Sequence, residues 1–276
     1  MFPVTPRPEE IFESHFEDLQ LPEPEARIAE RLRRSGLVTV NGLEHRSQVL
    51  ALARVLMRIT PHRDSDPDGL TVIRDTGRHA DRAGFAGFGN GELLPHTERS
   101  GIPCPPRLML LACERPADTG GECVLVDGRD VYADLAEHHH EALEALSAPR
   151  SAFFGGGDGH LSSVFSQVGE GRVAVRFRQD ALARFSPEAS RHVATLRAAI
   201  ERHRGELQLA SGEAFLIDNH RWLHARGAFT GLRRLHRALG IPRPLIALPP
   251  GFLPLTSTSA LAGRELETKE GKACAA

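Results

Sequence analysis

The sequence predicts a mainly β fold with helical decorations, and three stretches of the chain support that prediction. Before Glu98, short apolar runs are broken by glycine and aspartate, as in DSDPDGLTVIRDTG and NGELLPHTE, which is typical of strands joined by tight turns. In GRVAVRFRQD, valine and phenylalanine alternate with arginine, the period of two that a strand requires. The C-terminal third returns to strand patterns in GEAFLIDN, RWLHARGAF and RRLHRALG.

Four other segments have helical spacing and are predicted to pack outside the strands. In PEARIAERLRRS, Ile28 and Leu32 lie on one stripe, and GLVTVNGL after it is predicted to be a short buried strand. SQVLALARVLMRI is predicted to be one helix with Ser47 as its N-cap. The remaining two helices are predicted over VYADLAEHHHEALEAL and SPEASRHVATLRAAIERHRG.

Length and composition favour a single domain. The chain has 276 residues, of which 41% are hydrophobic, so it can bury a substantial core. We expect one domain over residues 1–267 with an N-terminal helical segment. The last residues, 268–276, are predicted to form a flexible C-terminal tail.

Charge and hydropathy exclude several classes of partner. The formal net charge is -2, and acidic and basic residues are interleaved, so we expect no nucleic acid partner and no membrane partner. No apolar run approaches the roughly 20 residues that span a bilayer, and the start MFPVTPRPEE lacks the order of a secretory signal. These observations predict a cytoplasmic protein, and a homo-oligomer is compatible with them.

Three residues could bind one metal ion. His96 and Glu98 are two residues apart at the end of a predicted strand, so their side chains point to the same side. His224 lies far downstream in DNHRWLHARGAF and would have to arrive from another strand. Two imidazoles and one carboxylate leave open positions on a first-row metal, which is the arrangement of non-haem Fe(II) oxygenases.

The order of three sequence blocks resembles a known family. The blocks are LLPHTERSGIPCPPRLMLLACERPADTGGECVLVDGRDVYADL, GEAFLIDNHRWLHARGAF and RRLHR. They are similar to the Fe(II)/2-oxoglutarate-dependent dioxygenases of the taurine dioxygenase and clavaminate synthase-like (TauD/TfdA) group. The resemblance implies a double-stranded β-helix, a jelly-roll of two sheets whose open end holds the iron, with helices outside.

The resemblance also implies roles for individual residues. His96, Glu98 and His224 would ligate Fe(II), 2-oxoglutarate would chelate the same ion, and O2 would take the remaining position. Arg233 would hold the far carboxylate of 2-oxoglutarate, because guanidinium matches a carboxylate in a bidentate way. Arg234 is the competing residue for that role. Arg237 is expected to bind an acidic group on a small-molecule substrate.

Two departures from the family pattern concern the cosubstrate and the substrate. Many relatives have threonine where this chain has Cys123, which is a weaker donor to the cosubstrate. The carboxylate ligand is Glu98 where taurine dioxygenase has aspartate. That choice resembles the clavaminate synthase-like branch, whose substrates are often amino acids or amino-acid-derived metabolites.

The predicted function is hydroxylation of an unactivated C–H bond of an amino acid or amino-acid-derived metabolite, with release of succinate and CO2. One alternative is that the same iron chemistry is used for desaturation or cyclisation. A second alternative, from a different class, is a non-catalytic metal-binding jelly-roll module. Arg233 and Arg237 favour the enzyme, because an inert metal site needs no buried clamp for a carboxylate.

Overall fold

The fold consists of strands in two main sheets, with helices on the outside. The computed structural model describes residues 8–78 and 83–255 of the chain. The predicted tail over residues 268–276 lies outside these ranges, and the domain boundaries stay a prediction. The helices are α1 (Pro8–Ser14), α2 (Pro24–Ser35), α3 (Arg46–Leu56), α4 (Gly128–His138), α5 (His140–Ser147) and α6 (Pro187–Arg202). Two short 3-10 helices span Ala86–Phe88 and Pro244–Ile246.

Seventeen strands are present in the described part of the chain. They are β1 (Leu37–Val40), β2 (Met57–Ile59), β3 (Thr71–Ile73), β4 (Leu93–His96), β5 (Leu108–Arg115), β6 (Thr119–Gly120), β7 (Cys123–Asp127), β8 (Ala152–Phe154), β9 (His160–Ser162), β10 (Phe165–Gly169), β11 (Arg172–Val175), β12 (Ala183–Phe185), β13 (Arg204–Leu207), β14 (Ala214–Asp218), β15 (Trp222–Arg226), β16 (Phe229–Thr230) and β17 (Arg234–Pro242).

The two main sheets are antiparallel. The major sheet has the strand order β1-β14-β5-β17-β2, with β3 also paired to β17, and the minor sheet has the order β13-β7-β15-β4. Short two- and three-stranded sheets extend this frame. The prediction of a mainly β fold with helices packed outside is therefore confirmed.

Alternation along the strands divides the core into three layers. On β5, Leu108 and Leu110 face a cluster formed with α2 and α3, whereas Met109 and Leu111 face the space between the sheets. On β7, Val124 and Val126 face the cluster that α4, α5 and α6 form on the other outer side, and Leu125 faces inward. The period of two thus places one face of each sheet against helices and the other against the opposite sheet.

Two of the predicted helices are wrong in extent. The helix predicted over residues 47–59 begins at Arg46, with His45 rather than Ser47 as its N-cap, and ends at Leu56. Met57–Ile59 is strand β2, which pairs with β17. The helix predicted over residues 131–146 is broken at His139, which separates α4 from α5. In both places the local apolar spacing continues; in the first, pairing of Met57–Ile59 with β17 decides where the helix ends.

Candidate metal centre and its pocket

Strands β4 and β15 bring the three predicted metal ligands together. His224 on β15 pairs directly with His96 at the end of β4, and the centroids of their rings are 4.3 Å apart. Glu98 follows β4 by two residues, so its carboxylate turns to the same side. One ligand atom from each of the three side chains lies within 4.8 Å of the others.

The donor atoms are suited to a divalent metal. Nδ1 of His96 lies 2.9 Å from the carbonyl oxygen of Leu94, which can only accept, so Nδ1 donates and Nε2 keeps its lone pair. Nε2 of His224 lies 3.5 Å from Oε1 of Glu98. All donors are nitrogen or oxygen, and both His224 and Glu98 are buried. This set fits a first-row metal such as iron.

Electrostatics favour the metal-binding protonation states of His96 and Glu98. Burial, together with the neighbouring His224, lowers the pKa of His96 to about 3. Burial alone would raise the pKa of Glu98, but the Arg237 guanidinium and the hydrogen bond from His224 hold that pKa well below its usual range. The imidazole is therefore neutral and the carboxylate charged at neutral pH, as metal ligation requires.

Asn219 fixes the backbone of Glu98, and sequence reasoning missed it. Its Oδ1 accepts from the Glu98 amide at 2.7 Å, and its Nδ2 donates to the carbonyl oxygens of Glu98 and Pro106 at 3.1 and 2.8 Å. In the sequence this residue only ends the strand pattern GEAFLIDN. The two contacts with Glu98 connect residues far apart in the chain, so no local signal could have found them.

The three ligands line a cavity of about 490 Å³, which is the size of a small-metabolite site. Its walls are largely apolar and include Ile73, Leu93, Ile102 and Leu182. Arg178 also reaches the cavity, where it forms an ion pair with Asp180 at 2.5 Å. Apolar walls favour the exclusion of water, and the charged side chains among the lining residues offer groups that can orient a bound molecule.

Arg233 and Arg237 both line this cavity, whereas Arg234 does not. Arg233 is buried, and its Nη2 donates to the Cys123 sulfur at 3.7 Å. Arg234 lies on the outside and pairs with Glu114 at 3.1 Å. The geometry therefore favours Arg233 over Arg234 as the binding group for an anion in the cavity.

Arg237 lies beside the metal ligands. Its Nη1 donates to Oε1 of Glu98 at 2.5 Å, while its Nε is buried without a hydrogen-bond partner in the described part of the chain. A buried donor without a partner costs about 1–3 kcal/mol. A bound anion could satisfy it.

A family model described as taurine catabolism dioxygenase TauD, TfdA family matches residues 2–239. The chain belongs to this family. The dioxygenase class expected from the sequence is thereby confirmed. Within the described residues, no helix of the TauD/TfdA chain is both long and apolar enough to cross a bilayer.

Several solved structures share the fold. An asparagine oxygenase in complex with Fe(II), 2S,3S-3-hydroxyasparagine and succinate is 17% identical, with 79% of each chain covered and a TM-score of 0.63. The non-heme iron oxygenase OrfP in complex with Fe and alpha-ketoglutaric acid is 18% identical, covers 84% of this chain and 83% of that chain, and has a TM-score of 0.64. OrfP in complex with Fe, succinate and (3S)-hydroxy-L-Arg is 16% identical, with 84% of each chain covered and a TM-score of 0.64. At these identities the likeness concerns the fold, and it confirms the double-stranded β-helix.

Arg226 is a further residue of the TauD/TfdA site that sequence reasoning missed. It lies on β15 and lines the cavity. Burial, and next the nearby Arg233, lower the pKa of Arg226 to about 10, so it remains charged at neutral pH. The signal available in the sequence was its spacing of two from His224, which places both side chains on one face of a strand.

Proposed function

We propose that this protein uses Fe(II), 2-oxoglutarate and O2 to hydroxylate a C–H bond of an amino acid or amino-acid-derived metabolite. The observation that carries the proposal is the convergence of His96, Glu98 and His224 in a cavity that also holds buried Arg233. In the overall reaction, one oxygen atom of O2 enters the product and the other enters succinate, and the lost carboxyl group leaves as CO2. Iron, when bound, supplies the redox chemistry with O2.

The chain's own residues bind and orient the reactants. His96, Glu98 and His224 would hold the metal and leave positions open on it. Arg233 would hold the carboxylate of 2-oxoglutarate that is remote from the metal, because its guanidinium is buried in the cavity and has no carboxylate partner in the described residues. Asn219 keeps Glu98 in position by accepting a hydrogen bond from the Glu98 backbone amide. The apolar walls exclude water from the reaction.

Arg237 is proposed to bind an acidic group of the substrate. Its buried Nε has no partner within the described chain, and its position beside Glu98 would place the substrate next to the metal. The α-carboxylate of an amino acid is such a group. The hydroxylated amino acids in complex with the structurally similar proteins, 2S,3S-3-hydroxyasparagine and (3S)-hydroxy-L-Arg, support an amino-acid substrate.

Product analysis tests this proposal. The protein, loaded with Fe(II) under anaerobic conditions, is mixed with 2-oxoglutarate and a panel of L-amino acids and their conjugates, and air is then admitted. We expect one substrate to gain one oxygen atom, seen by mass spectrometry, with an equal amount of succinate. The His224→Ala variant should form neither. Succinate and oxidised product at the same rate from that variant would contradict the proposal.

A further inference from the structure

The strand register places a second arginine beside the proposed cosubstrate carboxylate. Arg226 follows His224 by two residues on β15 and pairs with Cys123 on β7, while His224 pairs with Leu125. Side chains two apart on a strand share a face and are separated by about 7 Å. On β15 and β7, His224 and Leu125 therefore form one pair next to the other candidate metal ligands. Arg226 and Cys123 form a second pair further along the same strands.

Arg226 and Arg233 form a buried pair of like charges. They are 4% and 7% exposed, and their guanidinium carbons lie 4.9 and 5.6 Å from the centroid of the same ring, that of Phe229. The hydrogen bonds of Arg226 go to the backbone carbonyl groups of Gly87, Gly91 and Gly227. Carbonyl groups satisfy its N–H donors but do not neutralise its charge.

No carboxylate of the described chain forms an ion pair with either guanidinium. Two buried cations without a bonded carboxylate carry a cost in desolvation and mutual repulsion, which the charge of Asp75, beyond ion-pair distance of Arg226, offsets only in part. Both side chains line the cavity, so an anion bound there would relieve this cost. Cys123, which pairs with Arg226 in the strand register, is a weak hydrogen-bond donor and cannot hold a carboxylate as a hydroxyl would.

On the basis of the proposed function, we propose that Arg226 is a second binding residue for the carboxylate of 2-oxoglutarate that lies away from the metal. Arg233 would supply the direct contact, and Arg226 would supply a second positive charge next to it. The alternative is that Arg226 only holds the segment before β4 through its contacts with the carbonyl groups of Gly87 and Gly91. The two roles differ in whether the effect depends on the ligand's distal carboxylate.

Two keto acids of equal chain length distinguish these roles. We would measure the dissociation constants of 2-oxoglutarate and 2-oxopentanoate by calorimetry, with Mn(II) in the metal site, so that the readout is binding rather than turnover. 2-Oxopentanoate has the same keto acid end and carbon chain but lacks the distal carboxylate. For Arg226→Met we expect the Kd of 2-oxoglutarate to rise about tenfold or more, as for loss of a charge-assisted contact, and that of 2-oxopentanoate to change less than about threefold. Arg226→Lys, which keeps the charge, should lie between.

The matched control is Arg176→Met. Arg176 also donates only to backbone carbonyl groups, those of Ser100, Ile102 and Pro103, but it lies outside the cavity lining. We expect its ratio of the two dissociation constants to equal that of the unsubstituted protein. Comparing two ligands on one preparation makes the ratio independent of any unfolded fraction.

Two other outcomes would contradict this inference. If Arg226→Met weakens both keto acids equally, or leaves both unchanged, Arg226 is a scaffold residue and this inference is wrong, although the proposed function stands. If the unsubstituted Mn(II) protein binds neither keto acid, the proposed function fails and this inference fails with it.

Discussion

At the scale of single residues, Arg237 contacts Glu98 and lines the cavity beside the candidate metal ligands. Its position beside Glu98 and its unpartnered Nε suggest that it anchors an acidic group. For the substrate found in the panel, we expect Arg237→Ala to raise KM by about tenfold or more, because a charge-assisted bidentate contact is lost. Steady-state kinetics over substrate concentration measure this. An unchanged KM in Arg237→Ala would contradict the assignment.

His220 is a half-buried histidine outside the candidate metal ligands, and its Nδ1 atom is fully buried. Burial, and next the neighbouring Arg107, lower its pKa to about 3, and its Nδ1 has no hydrogen-bond partner in the described residues. In the unfolded chain the imidazole takes up a proton below its ordinary pKa of 6.5, whereas in the folded protein it stays neutral down to about 3. Stability is therefore lost as the pH falls through this window.

Replacing His220 with a residue that does not titrate should remove this loss of stability at low pH. Between pH 7 and pH 5 we expect His220→Gln to lose about 1–2 kcal/mol less unfolding free energy than the unsubstituted protein, because the linkage term of one histidine is absent. Urea denaturation at the two pH values measures the difference. Equal losses in the two proteins would show that His220 does not contribute.

At the scale of elements, the turn between β6 and β7 shapes the end of the cavity that contains Arg233. Gly121 has φ +77°, and an added Cβ would lie 3.1 Å from Nε of Arg233 and 3.1 Å from Cβ of Phe229. Glycine is required here for both its backbone conformation and its lack of a side chain.

Gly121→Ala should therefore affect stability and binding together. We expect a loss of about 1–3 kcal/mol of unfolding free energy from the strained backbone, with weaker 2-oxoglutarate binding as Arg233 is displaced. Chemical denaturation and calorimetry measure the two effects. Gly156→Ala is the control, since an added Cβ there meets nothing within 4 Å and its φ is not positive. Equal stability of the two variants would contradict this account of the turn.

The sequence predicted elements well where local spacing agreed with tertiary contacts. The helix predicted over Pro24–Ser35 has those bounds in the structure, because its apolar stripe packs on the major sheet. The helix predicted through Ile59 ends early, because Met57–Ile59 pairs with β17. The local pattern of that segment contains no signal for pairing with β17, a strand more than a hundred residues away.

The residues of the candidate site also fall into those that the sequence could select and those that it could not. His96, Glu98, His224, Arg233 and Arg237 could be selected from the order of short motifs, since each carries a recognisable side chain at a recognisable spacing. Asn219 and Arg226 could not be assigned in this way, because their importance depends on which strand lies opposite and on which carbonyl groups or charges are nearby.

At the scale of the whole molecule, a buried ion pair at the end of the minor sheet also contacts the N-terminal helix α2. Arg221 contacts the Asp127 carboxylate at 2.5 and 2.9 Å, and both side chains are buried. The guanidinium also donates to the carbonyl oxygen of Arg34 at the end of α2. Removing one partner leaves the other charge buried.

Arg221→Met should thus destabilise the whole fold. We expect a loss of about 3–5 kcal/mol, because the Asp127 charge is left without its partner. Arg191→Met is the control: its pair with Glu188 is exposed on α6, and we expect a change below about 1 kcal/mol. Chemical denaturation of both variants measures this. A similar small loss in each would show that the buried pair is not important for stability.

The central claim is that His96, Glu98 and His224 together bind one Fe(II) ion and leave coordination positions open for 2-oxoglutarate. Absorption spectroscopy under anaerobic conditions tests it most directly. We predict that adding 2-oxoglutarate to the Fe(II)-loaded protein produces a weak visible charge-transfer band, and that His224→Ala produces none. The claim is contradicted if the unsubstituted protein shows no band, or if the variant shows the same one.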